Sequence, residues 1–218
     1  GYDYYQGFYF IKPDIVAGKK VEPFKLSYVN ILEELNKEEP NFREIENSIK
    51  QDLSMSYSLL RLVNSAAYGY DINSIRQGIV ILGVDKLKKW SILYSFKNLS
   101  NNKPDILLKT SLIRAYFAES QKKHLNIDED LFILGMFSLI NAYLDRDLEE
   151  ILSQVSMKEE FKKALISKEG KLGDVLDIIE IYEKSKWEDL SKYSFNTKLV
   201  FNEYLEAIEK AEKIFENV

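Results

Sequence analysis

From Leu26 onward the apolar residues recur every three or four positions, and no stretch alternates at the two-residue period of a strand. Val29, Leu32 and Leu35 open a first predicted helix, and Asn41 with Glu44 has the capping-box spacing that starts a second, carrying Ile45 and Ile49. The most informative stretch runs from Leu59 to Gly83. In it Leu59, Leu62, Val63 and Ala66 fall on one helical face, while Arg61, Asn64 and Ser65 fall on the other. Gly69 breaks that helix. Ser74 followed by Gln77 repeats the capping box and opens a short apolar helix through Ile75, Ile79 and Leu82, ending at Gly83.

The pattern continues in helices. Lys86 to Leu99 is organised around Leu87, Trp90, Leu93, Tyr94 and Phe96, and Pro104 suits the first position of a helix running to His124. After the acidic Asp128, Glu129 and Asp130, the segment Leu131 to Leu144 is apolar nearly all round, which predicts one central buried helix. Gly135, Ser138 and Asn141 form a narrow small-or-polar stripe along it. Shorter helices are expected near 147–153, 157–166 and 171–185, then an amphipathic one from about Asn196. On that last helix Phe201, Tyr204, Leu205, Ile208 and Phe215 share a face, and Glu206–Lys210 and Glu209–Lys213 have favourable four-residue spacing. The predicted class is all-α.

Only the opening departs from this pattern. Phe8, Tyr9, Phe10 and Ile11 read as a short buried strand ended by Pro13, and residues 14–25 read as a linker. A lone strand needs a sheet to join. Phe8 and Phe10 are therefore expected to pack on the helical body or to pair with a second copy, giving a homodimer through residues 1–13. Because the chain begins inside this aromatic cluster and without Met, a piece of a longer protein is expected.

Composition narrows the function classes. A chain of 218 residues buries roughly 70% of its unfolded surface, enough for a substantial core. No apolar run approaches the length of a membrane span and no signal segment opens the chain, so a cytoplasmic protein with no membrane partner is expected. The absence of Cys excludes disulfides, a catalytic thiol and thiolate metal sites. The net charge of −5 conceals an asymmetry: residues 57–124 carry eleven basic and four acidic side chains, residues 125–218 twelve and twenty-one. The two regions either complement each other and present solvated faces, or the basic middle third meets an acidic partner, a nucleotide or nucleic acid. The overall negative charge disfavours DNA.

Catalytic chemistry is sparse. His124, the single histidine, follows Lys122 and Lys123 where a cation suits a helix end, and no strained G-x-S-x-G turn supports a triad built on it. One histidine excludes a histidine-rich metal site. Carboxylate-only metal binding through Asp128, Glu129 or Asp130 stays open beside the simpler reading of solvated acids. Neither glycine-rich phosphate loop occurs. Arg61, Arg76, Lys86, Lys88 and Lys89 form the best basic cluster, readable as helix surface or as an anion site.

LLRLVNSAAYG, followed by INSIRQGIVILG and LKKW, resembles the HDOD domain, a bacterial signalling module related to HD-type phosphohydrolases. The tail segments LGMFSLINAYLDRDLEEIL and EYLEAIEKAEKI resemble the HDOD half of EAL–HDOD proteins of the YuxH type, and GYDYYQGFYFIKP is similar to the closing strand of an EAL domain. The resemblance implies an EAL remnant over 1–13 and an HDOD domain with a helical extension over 26–218. Where the phosphohydrolases carry metal-binding His and Asp, this chain has Ser138 and Leu139. Gln6 and Gly7 match an EAL motif whose metal and substrate positions lie upstream. The implied function is a non-catalytic docking module in cyclic di-GMP-related signalling, without metal or cofactor. Its partners would be other signalling proteins or its own EAL domain. Arg61, Asn64 and Arg76 are the expected partner surface, although Asn64 and Ser74 equally suit internal helix caps. Two alternatives remain: nucleotide or nucleic-acid binding through the basic middle third, and residual phosphodiester hydrolysis.

Overall fold

The described residues of the structure, a computed structural model, are 31, 34–35, 37, 39–65, 68–155, 157–193 and 197–217. Among them every regular element is helical and none is a strand, in agreement with the all-α expectation. The strand-like opening with Gln6 and Gly7, the linker at 14–25, Val29, Leu32, Ala66 and Asn196 lie outside the described residues. Two compact units divide between Asn98 and Leu99.

The first unit contains α1 (Phe42–Lys50), α2 (Leu53–Val63) and most of α3 (Ile75–Leu99). Asn41 caps α1, its side chain accepting the Arg43 N–H at 3.1 Å. The reciprocal carboxylate is Glu34 rather than the predicted Glu44: Glu34 Oε1 accepts the Asn41 N–H at 2.7 Å. Hydrogen bonds from Lys37 and from that N–H hold the Glu34 carboxyl below its ordinary range. Asp52 caps α2 by accepting from the Met55 N–H. Gly83, with φ 70° and ψ 172°, ends the helical geometry where the sequence places a stop, but a second rod follows so closely that α3 continues across the kink. Ile45 and Ile49 of α1, Met55, Leu59 and Val63 of α2, and Ile75, Ile79 and Leu82 of α3 form the core, joined by Ile31 and Leu35.

The second unit contains α4 (Asp105–Ser120), α5 (Lys122–Leu125), α6 (Leu131–Phe137), α7 (Ile140–Leu144), α8 (Leu148–Ser153), α9 (Glu159–Ser167), α10 (Gly170–Glu183) and α11 (Thr197–Asn217). Pro104 occupies the extended cap position before α4 instead of its first turn. The predicted run to His124 is interrupted at Gln121, and α5 ends on the left-handed Asn126. α4 is central, packing along α6 on one side and α11 on another.

The expected single helix from Leu131 to Leu144 is two. α6 stops at Phe137, Leu139 takes the non-helical pair φ −120° and ψ 12°, and α7 begins at Ile140. Ser138 Oγ donates to the Gly135 carbonyl at 2.7 Å, a side-chain bond that competes with the helical ladder. Every residue of α6 is buried. A segment surrounded on all sides has no polar face to mark where it bends, so the break is silent in the hydrophobic pattern.

Candidate functional site

The candidate residues fall in two places, one inside the second unit and one on the surface of the first. The internal one lies where α4 and α6 meet. A Cβ added at Gly135 would stand 2.4 Å from Ala115 Cα and 2.6 Å from the Arg114 carbonyl carbon, so glycine allows the two backbones to touch. That approach brings Arg114 to the end of α6. Its guanidinium forms a bidentate pair with Glu183 at the end of α10, Nε to Oε1 at 2.7 Å and Nη2 to Oε2 at 2.6 Å. Nη1 donates to Ser138 Oγ at 3.1 Å. The ion pair is buried, with side-chain exposures of 10% and 6%.

These groups satisfy one another. Both Glu183 oxygens face a single guanidinium, and the Ser138 hydroxyl accepts from Arg114 while donating to Gly135. Phe117, Tyr182 and Tyr204 stack edge-on or tilted beside the pair, with centroids 5.0 to 5.3 Å apart. Burial raises the Tyr204 hydroxyl above its ordinary pKa; Glu183 adds to this and Arg114 opposes it. Tyr143 donates to Ser111, which in turn donates to the Leu107 carbonyl. Burial pushes the Tyr143 hydroxyl far up, and its hydrogen bond with Ser111 opposes this.

At Ser138, where the resemblance to HD-type phosphohydrolases would put a metal-binding His, this chain has a hydroxyl held by a cation, followed by the buried apolar Leu139. A divalent ion brought there meets the like charge of Arg114 and a carboxylate already fully paired. The stripe of Gly135, Ser138 and Asn141 therefore has a packing account: Gly135 for the helix contact, Ser138 for Arg114, and Asn141 for the Ala142 N–H, which its Oδ1 accepts at 3.0 Å. Sequence reading missed Arg114 and Glu183. Arg114 is the one charge in the apolar run SLIRAYFA, a signal for a buried charge but not for its partner, whereas Glu183 follows Asp177 and Glu180 in DIIEIYE and nothing in the sequence marks it out from them.

On the first unit, Arg61 lies on the outward face of α2, Asn64 is the C-cap of that helix, and Arg76 lies in the first turn of α3; all three are exposed. The Asn64 carboxamide donates to the Ile72 carbonyl at 2.7 Å and accepts the Ile72 N–H at 2.9 Å, closing the loop between them. Asn64 thus takes the structural role left open in the sequence. Ser74 Oγ accepts from the Gln77 N–H at 3.5 Å, a weak version of the expected cap. Arg76 contributes to lowering the Glu46 carboxyl, after the larger effect of its hydrogen bond with Lys50. In the wider basic cluster, the Lys86 ammonium sits 5.2 Å above the Tyr68 ring, while Lys88 and Lys89 are half-buried.

His124 does more than complete a helix end: its Nε2 lies 2.9 and 3.0 Å from the two Glu203 oxygens, tying α5 to α11, with Gln121 Nε2 also reaching Glu203. Asp128 and Glu129 line an open polar cleft shared with Glu160, Lys163 and Glu169. Among the described residues no group of three His, Asp or Glu is arranged to hold a metal ion. Nor is any described helix long and apolar enough to cross a membrane.

Residues 23–168 match the model of the HDOD domain, and the chain belongs to that family. Over 218 residues it is 33% identical to the uncharacterized protein YuxH of Bacillus subtilis, covering 96% of this chain and 53% of that protein. It is likewise 33% identical over 216 residues to the cyclic di-GMP phosphodiesterase CdgJ of Vibrio cholerae, covering 95% of this chain and 50% of that one. The chain therefore spans about half the length of these curated relatives. No solved structure matches.

Proposed function

We propose that this chain is a non-catalytic HDOD module that acts by docking other proteins in a cyclic di-GMP-linked signalling pathway of the cytoplasm. The observation that supports the first half is the Arg114–Glu183 pair on Ser138, a set of mutually satisfied groups where the resemblance would put an HD-type metal ligand. The link to cyclic di-GMP rests on the relationship to a protein named as its phosphodiesterase, of which this chain spans half. In this reading residues 26–218 form the HDOD domain with its extension, and residues 1–13, with Gln6 and Gly7, are the end of a preceding EAL domain. The partners are other signalling proteins or that EAL domain, and nucleic acid is not among them.

Arg61 and Arg76 are the proposed partner contacts, with Asn64 holding the loop between their helices. Both arginines are exposed, so Arg61→Ala combined with Arg76→Ala should leave the melting temperature within a few degrees of the parent, as surface substitutions usually do within about 0.5 kcal/mol. The same variant, carried in the full-length protein, should lose most of its partner capture from native cytoplasm. Undiminished capture would remove these residues from the docking face. A large fall in melting temperature would make them structural.

A further inference from the structure

The outward face of α2 carries more than Arg61. Leu53, Tyr57 and Arg61 recur at four-residue intervals and all stand in solvent, Leu53 84% and Tyr57 67% exposed. Met55, Leu59 and Val63 fill the opposite, buried face, so α2 cannot turn this stripe inward without exposing its core. α11 bears the same arrangement with the opposite sign. Phe201 and Leu205 are 47% and 43% exposed and Glu209 follows four residues later, also exposed, while Val200, Ala207 and Ala211 face inward.

Both stripes therefore read apolar, apolar, charge, with steps of about 6 Å along the helix axis. We propose that a second copy of this chain covers α2. In that contact α11 of one copy lies parallel to α2 of the other, with Leu53 against Phe201, Tyr57 against Leu205 and Arg61 against Glu209. Burying the two apolar pairs supplies the attraction, and the charge pair fixes direction and register, since antiparallel packing would set Arg61 against Phe201. By unit, residues 20–98, which hold α2, carry eleven basic and ten acidic side chains, and residues 99–218, which hold α11, seventeen and twenty-three, so the net negative charge lies with α11. The inference rests on the docking reading to the extent that Arg61 serves in both.

Sedimentation equilibrium of the whole 218-residue chain, from low to high micromolar concentration, tests it. The weight-average mass should rise with concentration. Arg61→Glu and Glu209→Arg should each weaken association by about tenfold or more through like-charge contact, and the two together should restore it. Tyr57→Ser should weaken it without altering any charge, and an unchanged helical circular dichroism signal checks that each variant is folded. A single monomer mass at all concentrations overturns the proposal, as does association that the combined charge swap fails to restore. Either failure leaves partner capture through Arg61 and Arg76 standing. Loss of the docking reading would appear instead as undiminished capture by the double alanine variant.

Discussion

Gly135→Ala is expected to destabilise the second unit by about 3 kcal/mol, the upper part of the range for overpacking a core. The added methyl would lie 2.4 Å from Ala115 Cα, 2.5 Å from Ala115 N and 2.6 Å from the Arg114 carbonyl carbon. All three are backbone atoms in the middle of α4, so no side chain can rotate away. α6 must retreat, and the packing of its buried side chains on α4, such as Phe132 edge-on to Tyr116, is loosened. Arg114 and Ser138, on either side of the contact, would separate with it. Urea denaturation followed by circular dichroism reads the loss as a lower midpoint with the slope preserved. A change below about 1 kcal/mol would mean that the helices approach less closely.

The second large effect concerns the ion pair. Arg114→Met alone leaves the Glu183 carboxylate buried without its bidentate partner, and Glu183→Leu alone strands the guanidinium; each should cost about 3–5 kcal/mol. Arg114→Met combined with Glu183→Leu should cost much less than the two separately, because no uncompensated charge remains and apolar side chains of similar bulk take the space. The double-mutant cycle on unfolding free energy measures this directly. Additive losses would show that the two residues do not act as a pair. Ser138→Ala, which removes one hydrogen bond to a charged group, should be milder, at about 1.5–3 kcal/mol.

Much of the helical frame was legible because its signals are local. The kink at Gly83, the cap at Asn41 and the helix carrying Leu59 and Val63 follow from residues within one or two turns of each other, although that helix ends at Val63, short of the expected break at Gly69. What escaped depends on partners distant in the chain. Glu34 rather than Glu44 completes the Asn41 cap because the preceding segment folds back onto it. His124 finds Glu203, and Arg114 finds Glu183, across separations that no periodicity encodes. The bend at Ser138 was hidden for a different reason: a segment buried on every side gives the same pattern straight or broken. The resemblance to HD-type enzymes drew attention to Ser138. It took the structure to supply the residue that holds it, since Arg114 lies on another helix.

The candidate surface divided in a similar way. Exposure of Arg61 and Arg76 follows from helical faces alone, and both are exposed. The role of Asn64 required knowing where the chain returns after Gly69, because both of its amide contacts are to the backbone of Ile72.

A chain whose HD-type metal position is closed by charge and packing, as we propose for Ser138 and its Arg114–Glu183 pair, hydrolyses no phosphodiester. Incubating the purified chain with cyclic di-GMP and simple phosphodiesters, with magnesium or manganese present, tests this most directly. No hydrolysis above a metal-only control is predicted. Metal-dependent turnover that is lost on changing Ser138, Asp128 or Glu129 would contradict it.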